Sequence, residues 1–296
     1  MKTRTKTAAI IIAIVLVALA SRLLYVGLFD IFMGFVAITG CLEICKLFNS
    51  KQKHHCTLIS ALYPVFFYVA FTVCMLCDAS VLWYVLSQVI LLVVLLLIAF
   101  LVKIKLGVKL ASKYVLNTLL IVLYPGLFFC SFFVINNLEM ILGLELSYVQ
   151  LSYTMLALIF LISSVTDTFA YIFGSHIRGP KLAPKISPNK SISGAVFGVI
   201  GGILAGLLVY GLCCWIAPFS DIMIVQLGLK LWHFILFGAV GSIIGQAGDL
   251  FESWIKRRFE VKDTGTLFPG HGGMMDRVDS HIMIALAVLV CFLIIL

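Results

Sequence analysis

The sequence predicts an all-α polytopic membrane protein with about nine transmembrane helices, its N-terminus cytoplasmic and its C-terminus outside. Three observations lead there. Of the 296 residues, 62% belong to the set AVILMFWYC, and the glycines raise that share to about 70%, against roughly 45–50% in globular domains. Charged residues make up only 11%, too little polar surface to cover a water-facing globule. The basic residues, finally, fall on alternate loops.

A spanning helix needs about 20 mainly apolar residues, and such runs lie near 8–22, 25–47, 58–77, 79–102, 115–138, 148–174, 194–217, 231–251 and 278–296. The first follows Lys2, Arg4 and Lys6 as a signal peptide would, but it leads through Arg22 into another apolar stretch and reads as a retained helix. With the N-terminus inside, 19 of the 21 basic residues fall on inner segments: the N-terminal three, Lys46, Lys51 and Lys53, Lys103 to Lys113, Arg178 to Lys190, and Lys256 to Arg277. Only Arg22 and Lys230 lie elsewhere. The net charge of +8 is thus topogenic, with a secondary affinity for anionic lipid, and nucleic-acid binding is excluded. The nine cysteines sit mostly inside apolar runs as small hydrophobes, and the Cys74/Cys77 pair lacks the further ligands of a zinc site.

Chemistry-bearing residues concentrate in the C-terminal half. Residues 1–145 read as scaffold helices and 146–296 as a catalytic region with a cytoplasmic-side site. In the segment from about 249 to 280, Asp249, Glu252, Ser253 and Lys256 share one face if the helix from 231 continues inward. The following loop carries Pro269, Gly270, Gly272 and Gly273, whose amides could meet an oxyanion. Asp276, Asp279 and Ser280 share a face at the start of the last helix. Hard divalent cations take one or two carboxylates and complete their shell with substrate phosphates. Asp249 and Asp276 could supply those carboxylates, with Lys256, Arg257 and Arg277 neutralising phosphate, a combination that suggests phosphoryl or nucleotidyl transfer. Each part has a plainer use: Lys256 to Arg258 as a positive-inside stop, Asp276 and Asp279 as partners of a helix N-terminus, His271 as a structural histidine.

The segment from about 164 to 194 begins with Asp167 and continues into a loop where Pro180, Pro184 and Pro188 break any helix. Its Lys181, Lys185, Ser187, Lys190 and Ser191 suit a polyanionic ligand or lipid headgroups. Glycines 194, 198, 202 and 206, and again 238, 241, 245 and 248, form small-residue ladders that let two helices approach closely and bring the dense segments together.

The run Ser253, Lys256-Arg257, Lys262-Asp263, His271-Gly272-Gly273, Asp276-Arg277 and Asp279 resembles the signature of the phosphatidate cytidylyltransferase (CDP-diacylglycerol synthase) family. The Asp167-Thr168 run and the Ser187-Pro188-Asn189-Lys190 loop are similar to that family's other conserved stretch, except that Ser191-Ile192-Ser193-Gly194 stands where the family has Thr-x-Glu-Gly. The resemblance covers about residues 164 to 280. It implies the reaction of CTP with phosphatidate to give CDP-diacylglycerol and pyrophosphate, with Mg2+ held at Asp249 and Asp276, and a K+ ion beside it. It also implies catalytic roles for Asp249, Lys256, Arg257, Asp276 and His271. Substrate contacts would come from Asp167, Ser187, Lys190, Ser191, Ser253, Lys262, Asp263, Gly272, Gly273, Arg277 and Asp279. Helix packing without disulfides and the habit of that family suggest a homodimer, and a compact chain with a short basic N-terminus suggests a bacterial cytoplasmic membrane. Two other readings stay open: another lipid-directed transferase, such as a polyprenol kinase or an archaeal-lipid cytidylyltransferase, and a transporter using Asp167, Asp249 and Asp276 as a cation relay.

Overall fold

A computed structural model of the chain describes residues 2–51, 54–77, 79, 81–144, 150–177 and 179–296. Lys53 and Arg178, counted above with the inner cations, lie outside them. The helices are α1 (Lys2–Ser21), α2 (Val26–Ser50), α3 (Thr57–Leu76), α4 (Val81–Lys103), α5 (Val108–Ile121), α6 (Phe128–Asn136), α7 (Leu138–Ile141), α8 (Gln150–Ile177), α9 (Ile192–Trp215), α10 (Ala217–Ser220), α11 (Leu231–Arg258) and α12 (Met275–Ile295). Between α8 and α9 a short antiparallel hairpin pairs β1 (Lys181–Ala183) with β2 (Ser187–Ser191).

Among the described residues, eight helices are long and apolar enough to cross a membrane, and the chain is an all-α polytopic membrane protein apart from that hairpin. They match eight of the nine expected runs. The run near 8–22 falls in α1, but its apolar part, Ala9–Ser21, is shorter than the about 20 residues a span needs, because Lys2, Arg4 and Lys6 occupy the preceding turns. The span Val108–Asn136 joins α5 and α6 across a break at Tyr124 (φ −134°, ψ 116°), extended as the residue before Pro125 prefers.

The chain divides into two compact units, residues 1–133 with 259–277 and residues 134–258 with 278–296. The first is built on α2, α3 and α5, and its core is aromatic: Phe29, Phe48, Tyr63, Phe67, Phe71 and Phe129 are all buried. α4 stays largely bare of protein contact, which suits a helix solvated by lipid.

In the second unit α9 lies against both α8 and α11, and glycine determines how closely. A Cβ on Gly238 would stand 2.3 Å from the carbonyl oxygen of Gly202, and one on Gly206 would stand 2.2 Å from that of Phe234. The backbones themselves are in contact, as the glycine ladders predict. On the other side of α11, Gly245 and Gly248 receive Ile284 and Met283 of α12. α11 is thereby fixed between α9 and α12, and whatever its C-terminal end carries inherits that rigidity.

Candidate functional site

α11 runs unbroken to Arg258, so Asp249, Glu252, Ser253 and Lys256 do share a face. Ser253 donates to Asp249 Oδ1 at 3.4 Å, and Lys256 Nζ donates to Glu252 Oε2 at 3.0 Å. Glu252 is fully buried, where a lone carboxylate would be strongly unfavourable, so the Lys256 partner is part of what permits it. Buried Asp279 of α12 faces Glu252, with Asp249 nearby. Three carboxylates therefore gather in this unit. The second lysine of the cluster comes from the hairpin: Lys190 Nζ forms an ion pair with Asp249 Oδ2.

The hairpin owes its position to polar ties at both ends. Arg257 Nε donates to the Ile186 carbonyl at 3.3 Å, pinning the turn to the end of α11. At the other end Ser191 caps α9, its hydroxyl accepting from the Gly194 amide at 3.1 Å. Ser193 accepts from the Gly179 amide at 3.3 Å and bonds Ser191. Beside the hairpin lies a cavity of about 690 Å³ whose lining includes Asp167, Tyr171, Lys181, Asn189, Lys190 and Gln246. Lys181, Lys190 and the N-terminus of α9 bring positive charge to this cavity, set against the Asp167 carboxylate in its lining and the Asp249 that pairs with Lys190.

The loop after α11 belongs to the first unit. Phe259 packs on Phe48 with ring centroids 5.1 Å apart, and Lys51 pairs with Glu260 at 2.8 Å. Phe268 and Gly272 bridge the loop, with the Phe268 amide donating to the Gly272 carbonyl at 2.9 Å. Gly270 and Gly272 sit in the left-handed region at φ 76° and 84°, a conformation other residues resist. Asp276 Oδ2 accepts from the amides of Gly273 at 2.7 Å and Thr264 at 2.8 Å. The amides of Met274 and Met275 go to Glu43 of α2, each at 2.9 Å. Thr264 Oγ1 lies 3.0 Å from both Glu43 Oε2 and Asp276 Oδ2, placing its single proton between two carboxylates. Charged acceptors of this kind contribute about 1.5–3 kcal/mol per hydrogen bond.

The expected site residues thus fall into two groups. Asp167, Ser187, Lys190, Ser191, Asp249, Ser253, Lys256, Arg257 and Asp279 lie in the second unit; Lys262, Asp263, His271, Gly272, Gly273, Asp276 and Arg277 lie in the first. Lys262, Asp263 and Arg277 are exposed, whereas the His271 Nδ1 atom is buried with no hydrogen-bond partner among the described residues. The sequence suggests that the amides of the glycine loop are open to an oxyanion, but those of Gly273, Met274 and Met275 are turned to the chain's own carboxylates. Glu43 is a functional candidate that motif spacing does not indicate. Its signal in the sequence is a carboxylate inside an apolar span, which is unfavourable enough to mark a role.

Among the described residues no three His, Cys, Asp or Glu side chains converge to hold a metal ion unaided. Taken singly, Asp249 in the second unit and Asp276 in the first are each oxygen donors of the kind used by an ion that takes one or two protein carboxylates and completes its shell with phosphate and water, as Mg2+ does.

Phosphatidate cytidylyltransferase of Staphylococcus haemolyticus is 36% identical over 126 residues, 42% of this chain and 44% of that protein. The proteins of the same name from Staphylococcus epidermidis and Staphylococcus aureus are 37% identical over 125 residues and 34% over 126 residues, at the same shares. The matched stretch therefore spans less than half the length of these relatives. The model of the cytidylyltransferase family matches residues 2–295, essentially end to end, and the chain belongs to that family.

Proposed function

We propose that the protein is a phosphatidate cytidylyltransferase, converting CTP and phosphatidate to CDP-diacylglycerol and pyrophosphate. The observation that carries this reading is Lys190, which lines the cavity beside the hairpin while bonded to Asp249. A phosphate-binding cation and a metal-binding carboxylate would thus stand side by side. The family match and the relatives' names supply the chemistry to which such a pair is suited.

In this reaction a phosphatidate oxygen forms a bond to the α-phosphorus of CTP as the bond from that phosphorus to the α,β-bridging oxygen breaks, and pyrophosphate departs with the electron pair. Phosphatidate is ionised near neutral pH, so no side chain must act as a strong base. The work of the protein is to hold two anions together. Lys190, Lys181 and the α9 N-terminus would receive one phosphate group, with Ser187 and Ser191 at their flank. Lys256, Arg257 and Arg277 would counter the charge of the other, and Lys262, Asp263, His271 and Asp279 would border the nucleotide. Asp249 and Asp276 would hold Mg2+, with K+ beside it. The metal, when bound, would stabilise charge on the oxygens at the transferred phosphorus.

The distribution of basic residues supports a site on the cytoplasmic face of a bacterial inner membrane, where a lipid anion and a soluble nucleotide can meet. We take the working form to be a homodimer, as in the family the signature resembles.

The test is transfer of label. Detergent-purified protein is incubated with phosphatidate, radiolabelled CTP and Mg2+, with and without EDTA, and label is counted in the organic phase. Metal-dependent labelling that disappears in Asp276→Asn is the expected result. Folded protein that transfers nothing to phosphatidate would overturn the reading, and transfer to a polyprenol or an archaeal lipid instead would redirect it to a neighbouring activity.

A further inference from the structure

We infer that Glu43 of α2 is a positioning residue for Asp276, setting the direction of its carboxylate through the loop that precedes it. The inference rests on the proposed metal-binding role of Asp276. Asp276 Oδ2 is fixed by the amides of Thr264 and Gly273. Both donors are held by Glu43 in turn: Thr264 through its hydroxyl, and Gly273 through the two amides that follow it. Glu43 is itself buried at 6% exposure, so it holds the loop from beneath.

The fit leaves little slack. A Cβ on Gly265 would lie 2.4 Å from Glu43 Oε1, and one on Gly273 would lie 2.3 Å from Glu43 Oε2. The loop folds directly over the carboxylate, and Gly273 of the His-Gly-Gly motif is glycine here because Glu43 occupies the space. Only a full-length carboxylate serves. Three donors converge on two oxygens, so glutamine would turn its own N–H groups toward at least one of them, and aspartate is a methylene short. Glu43 touches neither substrate in the proposed scheme; its effect passes through Asp276, much as partners of ligating side chains tune other metal sites.

The experiment uses the purified full chain and the variants Glu43→Gln, Thr264→Val and Thr264→Ser. Amide hydrogen exchange is read across residues 273–276, together with kcat and KM for CTP and the Mg2+ concentration giving half-maximal rate. Glu43→Gln is expected to speed exchange at Met274 and Met275 about tenfold or more, leaving α8 and α9 unchanged, because a charge-assisted bond is lost locally. kcat should fall about tenfold or more with KM for CTP within about twofold, and the Mg2+ requirement should rise, the pattern of a misplaced transition-state contact. Thr264→Val should follow Glu43→Gln, and Thr264→Ser should recover most of the loss. Unchanged exchange would overturn the inference, as would faster exchange with unaltered kcat and Mg2+ requirement. If Glu43→Gln does not fold, the Thr264 pair decides, and equal kcat in Val and Ser variants counts against it. If the unsubstituted protein transfers no label, the proposed reaction falls by itself, and exchange at 273–276 still shows whether Glu43 holds the loop.

Discussion

Asp249 and Asp276 carry the same functional group and are held in opposite ways. Asp276 is gripped by backbone: two amides and a hydroxyl meet one of its oxygens, and the loop that supplies them is bound to a buried glutamate. Asp249 is held by side chains, a lysine on a two-stranded hairpin and a serine one turn along its helix. Backbone donors cannot swing away, whereas a lysine can exchange one anion for another through rotamer changes alone. The difference points to a rigid carboxylate and an exchangeable one, the second with a cation able to pass to a substrate phosphate.

The sharpest test of that contrast is to neutralise each. Asp276→Asn and Asp249→Asn should each lower label transfer by about a hundredfold or more, since both groups are assigned to the charge that develops in the transition state. Their stabilities should separate. Asp276→Asn removes a charged acceptor from three donors and should lose about 1–3 kcal/mol in reversible denaturation, while Asp249→Asn should lose less. Equal losses would erase the distinction. Gly202→Leu attacks the scaffold rather than the carboxylates, forcing a side chain between backbones already in contact, and should destabilise by about 3 kcal/mol; melting with CTP present would follow it. Lys190→Met keeps the aliphatic stem and removes the charge, and should lower kcat/KM about tenfold. An unaltered kcat/KM would show that the exchangeable partner has no part in substrate binding.

The smallest effect belongs to Glu260. The hydrogen bond and charge of Lys51 hold its carboxyl below the usual range. A depressed carboxylate stabilises the fold above its unfolded pKa and loses that contribution as pH falls through the folded value. Glu260 is fully exposed, however, so Glu260→Gln should move Tm at pH 7 by less than about 1 °C. A shift of several degrees would mean that the pair anchors the loop that carries Asp276.

Much of the fold is legible in the sequence because its physics is local. Lipid selects long apolar runs, and eight of the helices follow from length and composition. The 3.6-residue period alone puts Asp249, Glu252, Ser253 and Lys256 on one face, and the glycine ladders forecast the contact of α9 with α11. Where the sequence is silent, the deciding interaction is remote. The segment Lys181–Ser191 reads as irregular loop, because Pro184 and Pro188 hide any strand pattern, yet it forms a hairpin whose turn is fixed by Arg257 from another element. Glu43 escapes motif spacing because its partners lie more than 220 residues away in the chain. A polar side chain stranded in an apolar run is the available clue, and the same clue holds for Glu139, which binds the Ser152 amide and hydroxyl at the start of α8.

The separation of Glu43 from its donors also bears on how the protein is made. Synthesis delivers α2 early, whereas Thr264, Met274 and Met275 follow 221, 231 and 232 residues later. Throughout that interval the segment must reside at the bilayer with an acidic group whose eventual donors do not exist. Hydrocarbon offers no substitute, so the nascent helix has to remain beside water or borrow polar company from the insertion machinery. The hydrogen bonds that seat Glu43 are therefore completed only when the loop before the last helix has been made.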